Sequence, residues 1–116
     1  MDNKNYETVV ALNSSRFGSG NPRLGESLMK DFLESLAETT PLPSAILLYN
    51  TAAVLACKDS PVLEQMKALE AKGVEVDVSL ESLMFYGMSE DRVCGGPVSM
   101  DMMTSILMNA QKVVKP

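Results

Sequence analysis

The sequence predicts a three-layer α/β/α domain built on a five-stranded parallel sheet, and three observations predict it. Short apolar, β-branched runs alternate with amphipathic stretches of helical period, the order expected of βαβ units. The first two of those runs are nearly continuously apolar, as strands buried on both faces are. A chain of 116 residues with 46% apolar side chains suits one domain, residues 1–116, around a single core.

The first run, Thr8-Val9-Val10-Ala11-Leu12, is read as strand one, and the polar, glycine-containing segment 13–20 as the loop after it. Asn21-Pro22 then opens a helix, with asparagine accepting amide hydrogen bonds and proline where no N–H is needed. Leu24, Leu28, Phe32 and Leu36 recur every four residues with Met29 and Leu33 beside them, while Glu26, Lys30 and Glu34 take the other side. Two prolines within 39–44 end that helix, and Ala45-Ile46-Leu47-Leu48-Tyr49 is strand two. After an alanine-rich connector over 50–59, Ser60-Pro61 repeats the cap-plus-proline signature. Val62, Met66 and Leu69 form the stripe of the next helix, which Lys72-Gly73 closes.

Strand three is read at 74–78, and Ser79 caps a short helix with Leu80, Leu83 and Met84 inward, ending at Phe85-Tyr86-Gly87. A brief fourth strand falls around Arg92-Val93-Cys94, before Gly95-Gly96-Pro97. Ser99 and Asp101 open the last helix, with Met103, Ile106, Leu107 and Ala110 on one face, and 112–115 is the fifth strand. Ligands in open α/β sheets sit at the carboxyl ends of strands, which singles out the loops 14–20, 79–82 and 94–99.

Composition removes whole function classes. Fifteen acidic residues against ten basic ones leave a net charge of −5, the wrong sign for nucleic acid or an anionic membrane surface. Without histidine, neither a Ser-His-Asp site nor a His-liganded zinc exists within the chain. No apolar run reaches the roughly 20 residues of a spanning helix, and residues 1–10 lack the order of a signal peptide, so a cytoplasmic location is expected. In that reducing compartment the two cysteines, Cys57 and Cys94, are expected as free thiols.

The ordered set of loop residues carries a family resemblance. Asn13-Ser14-Ser15-Arg16-Phe17-Gly18-Ser19-Gly20-Asn21-Pro22-Arg23-Leu24-Gly25, then Leu28-Met29-Lys30 and Phe32, resembles the opening of the DsrE-like domain of the YedF selenium-metabolism proteins. Tyr49-Asn50-Thr51, Leu55-Ala56, Ser60, Leu63, Leu69 and Lys72-Gly73-Val74-Glu75-Val76 continue it, and Leu83, Phe85-Tyr86-Gly87, Val98-Ser99 and Met102-Met103 complete it. The resemblance implies strand order 3-2-1-4-5 with strand one central, a role in sulfur or selenium metabolism, a homo-oligomer (dimer or trimer) and a sulfur-carrier protein as partner. It also marks a departure: the family's Cys-Gly-Thr-Cys-Leu turn reads Ser79-Leu80-Glu81-Ser82-Leu83 here, so both cysteines are serine. The TusA-like domain of YedF proteins, with its Cys-Pro motif, has no counterpart in these 116 residues.

A hydroxyl cannot hold a persulfide, because it neither ionises at neutral pH nor forms a sulfur–sulfur bond. Ser79 and Ser82 are therefore expected to be inactive in sulfur transfer, Ser79 serving as a helix cap. Two readings follow: a binding or assembly subunit, or a sulfurtransferase-like relay through Cys94, whose place before a helix N-terminus favours a lowered pKa. Of a different class is a small-molecule module that cradles an anion or nucleotide with Asn13, Ser14, Ser15, Arg16, Gly18 and Gly20. Neither a cofactor nor a metal is expected. The methionines of the last helix, Met100, Met102, Met103 and Met108, are read as adaptable packing for a core or subunit interface.

Overall fold

A computed structural model describes residues 5–116; residues 1–4, the start of the stretch read above for a leader, lie outside it. Five parallel strands form one sheet in the order β4-β3-β2-β1-β5: β1 Tyr6–Leu12, β2 Ala45–Leu48, β3 Glu75–Ser79, β4 Gly96–Val98 and β5 Ala110–Val114. Four helices connect them: α1 Pro22–Leu36, α2 Leu63–Ala71, α3 Leu80–Phe85 and α4 Met100–Asn109. A 3-10 turn over Asn50–Ala56 follows β2. The three-layer parallel fold is the one the alternating pattern predicts; the placement of the outer strands is not.

The central strand is β2, not β1. Ala45, Ile46, Leu47 and Leu48 all lie fully inside, registered between β1 and β3. Strand four forms at Gly96–Val98 rather than at Arg92–Cys94, and it pairs with β3 beyond the sheet's β2 side. Arg92 instead makes an isolated antiparallel bridge with Cys57, and the Val93 and Cys94 amides donate to the Ala56 carbonyl, which ties residues 92–94 to the turn after β2. Pro97 fits β4 because β4 is an edge, where a missing N–H costs no ladder bond. From that edge α4 crosses the whole opposite face, so β5 pairs alone beside β1, with Thr8 against Lys112 and Val10 against Val114.

Two cores result. On one face Val10, Leu12, Ile46, Leu48, Val76 and Val78 meet Met29 and Leu33 of α1, Met66 and Leu69 of α2, and Leu83 of α3. On the other, Tyr6, Val9, Ala45 and Leu47 meet Met103 and Ile106 of α4. The buried line of α1 runs through Gly25, Met29 and Leu33, one position round from the predicted stripe, which leaves Leu24 57% exposed and Leu28 at the surface. Gly25 allows that rotation: its carbonyl accepts from the Phe17 amide at 3.0 Å, and a Cβ there would stand 2.9 Å from the Arg16 Cβ. On α3 only Leu83 points inward; Leu80 and Met84, expected inside, are exposed because no further element covers the outer side of this six-residue helix. Among the described residues no helix is long and apolar enough to cross a membrane.

Candidate functional site

The chain leaves β3 at Ser79, whose side chain caps α3 by accepting from the Ser82 amide at 3.1 Å. The same oxygen accepts a second bond from the Ser82 hydroxyl at 2.9 Å, and Ser82 Oγ in turn accepts from the Asn50 amide at 2.9 Å. Asn50 begins the turn after β2 with φ +53, a left-handed conformation that asparagine tolerates better than most residues. Hydroxyl bookkeeping then leaves one O–H donor on Ser79 and one lone pair on Ser82. These partners are hydroxyls and amides rather than a base, so nothing in the arrangement activates a serine nucleophile.

This pair lies in an open recess of about 350 Å³ at the carboxyl ends of β2 and β3. Tyr49, Asn50, Ser79 and Ser82 give it polar groups; Phe85, Tyr86 and Met100 give it apolar surface; Glu81 adds a carboxylate. Phe85 and Tyr86 stack edge to face, 5.1 Å between ring centroids, and Phe85 is 81% exposed. The position is the one expected for ligands of parallel sheets.

The topology and the helix arrangement match solved structures. The YchN protein from E. coli superposes with a TM-score of 0.67 at 16% identity, over 95% of this chain and 98% of that one. MTH1491 from Methanobacterium thermoautotrophicum, a protein of unknown function, gives 0.66 at 16% identity, over 97% and 100%. The five-stranded parallel fold is shared with both proteins. At this identity the likeness is one of fold, and neither a protein-family model nor a curated protein matches the sequence.

Elsewhere in the fold the other residues singled out from the sequence sit apart from the serine pair. Polar groups of the loop after β1 already have protein partners: Ser14 Oγ accepts from the Arg16 amide at 3.0 Å, and the Ser15 amide donates to Thr51 Oγ1 of the turn after β2 at 3.1 Å. Arg16 Nε lies 3.8 Å from a Glu26 carboxylate oxygen, at the surface. Gly18 and Gly20 take φ of +78 and +137, which explains the glycines as turn residues. Beside Asn13, Ser14 and Arg16 the recess holds about 10 Å³, room for roughly one water.

Cys94 is 4% exposed and packs in the core on the α1 and α2 face, its thiol 3.9 Å from the Ala56 carbonyl. Burial, then the nearby Glu70 carboxylate, push its pKa up to about 11, the reverse of the lowering that a relay thiol needs. Cys57 is also buried and shifted upward, first by burial and then by Asp91. A raised acid pKa in the folded state means that the unfolded chain loses the proton first, so folding stability falls as pH climbs from about 9 to about 11. For Cys94 the loss is roughly 2–3 kcal/mol. Chemical denaturation of the parent and of Cys94→Ala at pH 8 and pH 11 checks this: the variant should lose less stability over the interval, and parallel losses would refute the assignment.

The sequence singled out Ser79 and Ser82, and the structure brings Asn50 and Met100, not singled out as site residues, to the same recess. The left-handed Asn50 at the end of an apolar strand was the available signal; Met100 reaches the recess only because α4 starts from the β4 edge.

Proposed function

We propose that this chain is a DsrE-like binding and assembly subunit of cytoplasmic sulfur or selenium metabolism, working without the family's thiol pair. The observation that carries the reading is the pair of hydrogen-bonded hydroxyls at the turn after β3, inside a recess large enough for a small molecule. Hydrogen-bonded hydroxyls in that recess suit the binding of a polar group, whereas an oxygen cannot carry a persulfide. The raised pKa of Cys94 speaks for a scaffold rather than a relay. The loop after β1, with its arginine beside a carboxylate, makes the anion or nucleotide reading the weaker alternative.

Assembly as a homo-oligomer is supported by the apolar surface beside the recess on α3 and α4, where Leu80, Met84 and Met102 are exposed. A sulfur-carrier protein is the partner class that the family resemblance suggests. Native mass spectrometry after incubation with thiosulfate or a persulfide donor tests both parts. The expected result is a dimer or trimer with no sulfur added to Cys57 or Cys94. A sulfur adduct on Cys94 would restore the relay, and a monomer at all concentrations would remove the assembly role.

A further inference from the structure

We propose that the recess at the carboxyl ends of β2 and β3 takes a small organic cation, an ammonium group against Glu81 with an apolar or aromatic body against Phe85, Tyr86 and Met100. The inference rests on the reading of that recess as a binding site and assigns its ligand class.

Charge is the first argument. Among the described residues Glu81 is the single acidic or basic side chain of the lining, with neither lysine nor arginine beside it. An anionic ligand brought there meets a carboxylate with no cation to offset it. The first turns of α3 and α4 also lie at the recess, and their amide ends carry at most about half a positive charge each. Glu81 and Asp101 stand in those two turns, and each carries a full negative charge, so the local balance stays negative. The chain's net charge of −5 draws cations toward the surface from further out.

Surface chemistry is the second argument. Phe85 and Tyr86, an edge-to-face ring pair, both line the recess, and the face of either ring attracts a cation. Met100 adds a flexible thioether wall that adapts to an apolar body. Ser82 keeps one lone pair after its bonds to Ser79 and Asn50, an acceptor suited to an ammonium N–H. A volume of about 350 Å³ lies at the small end of ligand pockets, which suits a compact amine rather than a dinucleotide.

Three probes of matched shape and different charge test this on the full chain: phenethylamine, phenethyl alcohol and phenylacetate. Calorimetry reads affinity, and backbone amide shifts over residues 79–86 locate the binding. The expected order is amine, then alcohol, then phenylacetate, with the amine roughly tenfold tighter than the acid. Glu81→Gln should weaken the amine about threefold to fivefold and leave the alcohol unchanged, as expected of an exposed charge pair, while Glu64→Gln on α2 changes none of the three. Phenylacetate binding as tightly as the amine, or equal affinities for the amine in the parent and in Glu81→Gln, would overturn the cation assignment and leave the pocket standing. If none of the probes shifts residues 79–86, the reading of the recess as a binding site fails, and the cation inference with it.

Discussion

Replacing Gly95 by alanine should lower the melting temperature by about 10 °C, the largest effect expected among the glycine-to-alanine changes of this chain. Gly95 joins the buried segment at Cys94 to β4 with φ +75, a left-handed conformation that costs a residue with a Cβ roughly 1–2 kcal/mol. A Cβ there would also stand 2.8 Å from Val76 Cγ1, 3.0 Å from Val78 Cγ2 and 3.1 Å from the Val76 carbonyl oxygen. Those valines are buried in the middle of β3 and have nowhere to retreat, so overpacking adds roughly 1–3 kcal/mol. Two polar ties resist a shift of the backbone: the Gly95 amide donates to a Glu70 carboxylate oxygen at 3.0 Å, and its carbonyl accepts from Arg92 Nη1. Gly87→Ala is the control, because φ is +66 but a Cβ would meet nothing within 4 Å. Calorimetric scans of both variants separate the terms; equal shifts would mean that the close approach to β3 adds nothing.

Restoring cysteine at both serine positions, Ser79→Cys with Ser82→Cys, should create a reactive dithiol where the parent has none. The two hydroxyl oxygens lie 2.9 Å apart at the start of α3, so a sulfur–sulfur bond of about 2.05 Å needs little backbone movement. Two thiols three residues apart in a first helical turn also gain from the amide end of the helix, which lowers the pKa of the leading one. Alkylation at neutral pH should modify the new thiols roughly a hundredfold faster than Cys94, whose pKa of about 11 keeps it protonated. Mild oxidation should close a disulfide that peptide mapping assigns to positions 79 and 82, with Cys57 and Cys94 left as buried thiols. New thiols that neither bridge nor react faster than Cys94 would show that the turn after β3 no longer holds the geometry of a cysteine pair.

The legible part of the fold was the part with local causes. Asn21 accepts from the Leu24 amide at 3.0 Å, and Ser99 from the Met102 amide at 3.3 Å, as their places before helical stretches predict. Ser60 shows the limit: its hydroxyl accepts from the Val62 amide at 3.2 Å, yet the helix starts at Leu63, since a local hydrogen bond can close a turn as well as a helix. The buried face of α1 was misjudged by one position because leucine spacing does not reveal that the loop after β1 folds back onto Gly25. For the site, the family resemblance pointed to Ser79 and Ser82, whereas Cys94 was attractive only as long as its surroundings were unknown.

The sequence by itself determined the alternation of strands and helices, the caps at Asn21, Ser79 and Ser99, and the exclusion of histidine chemistry from these residues, because each follows from residues within one turn or from composition alone. Tertiary structure alone decided that β2 is central, that β4 forms at Gly96–Val98, that the thiols are buried, and that Asn50, Ser79, Ser82 and Met100 share one recess. Those outcomes depend on which strand edge each crossover reaches. An apolar strand signals that it will be buried, but its pairing partners are set by contacts between segments tens of residues apart.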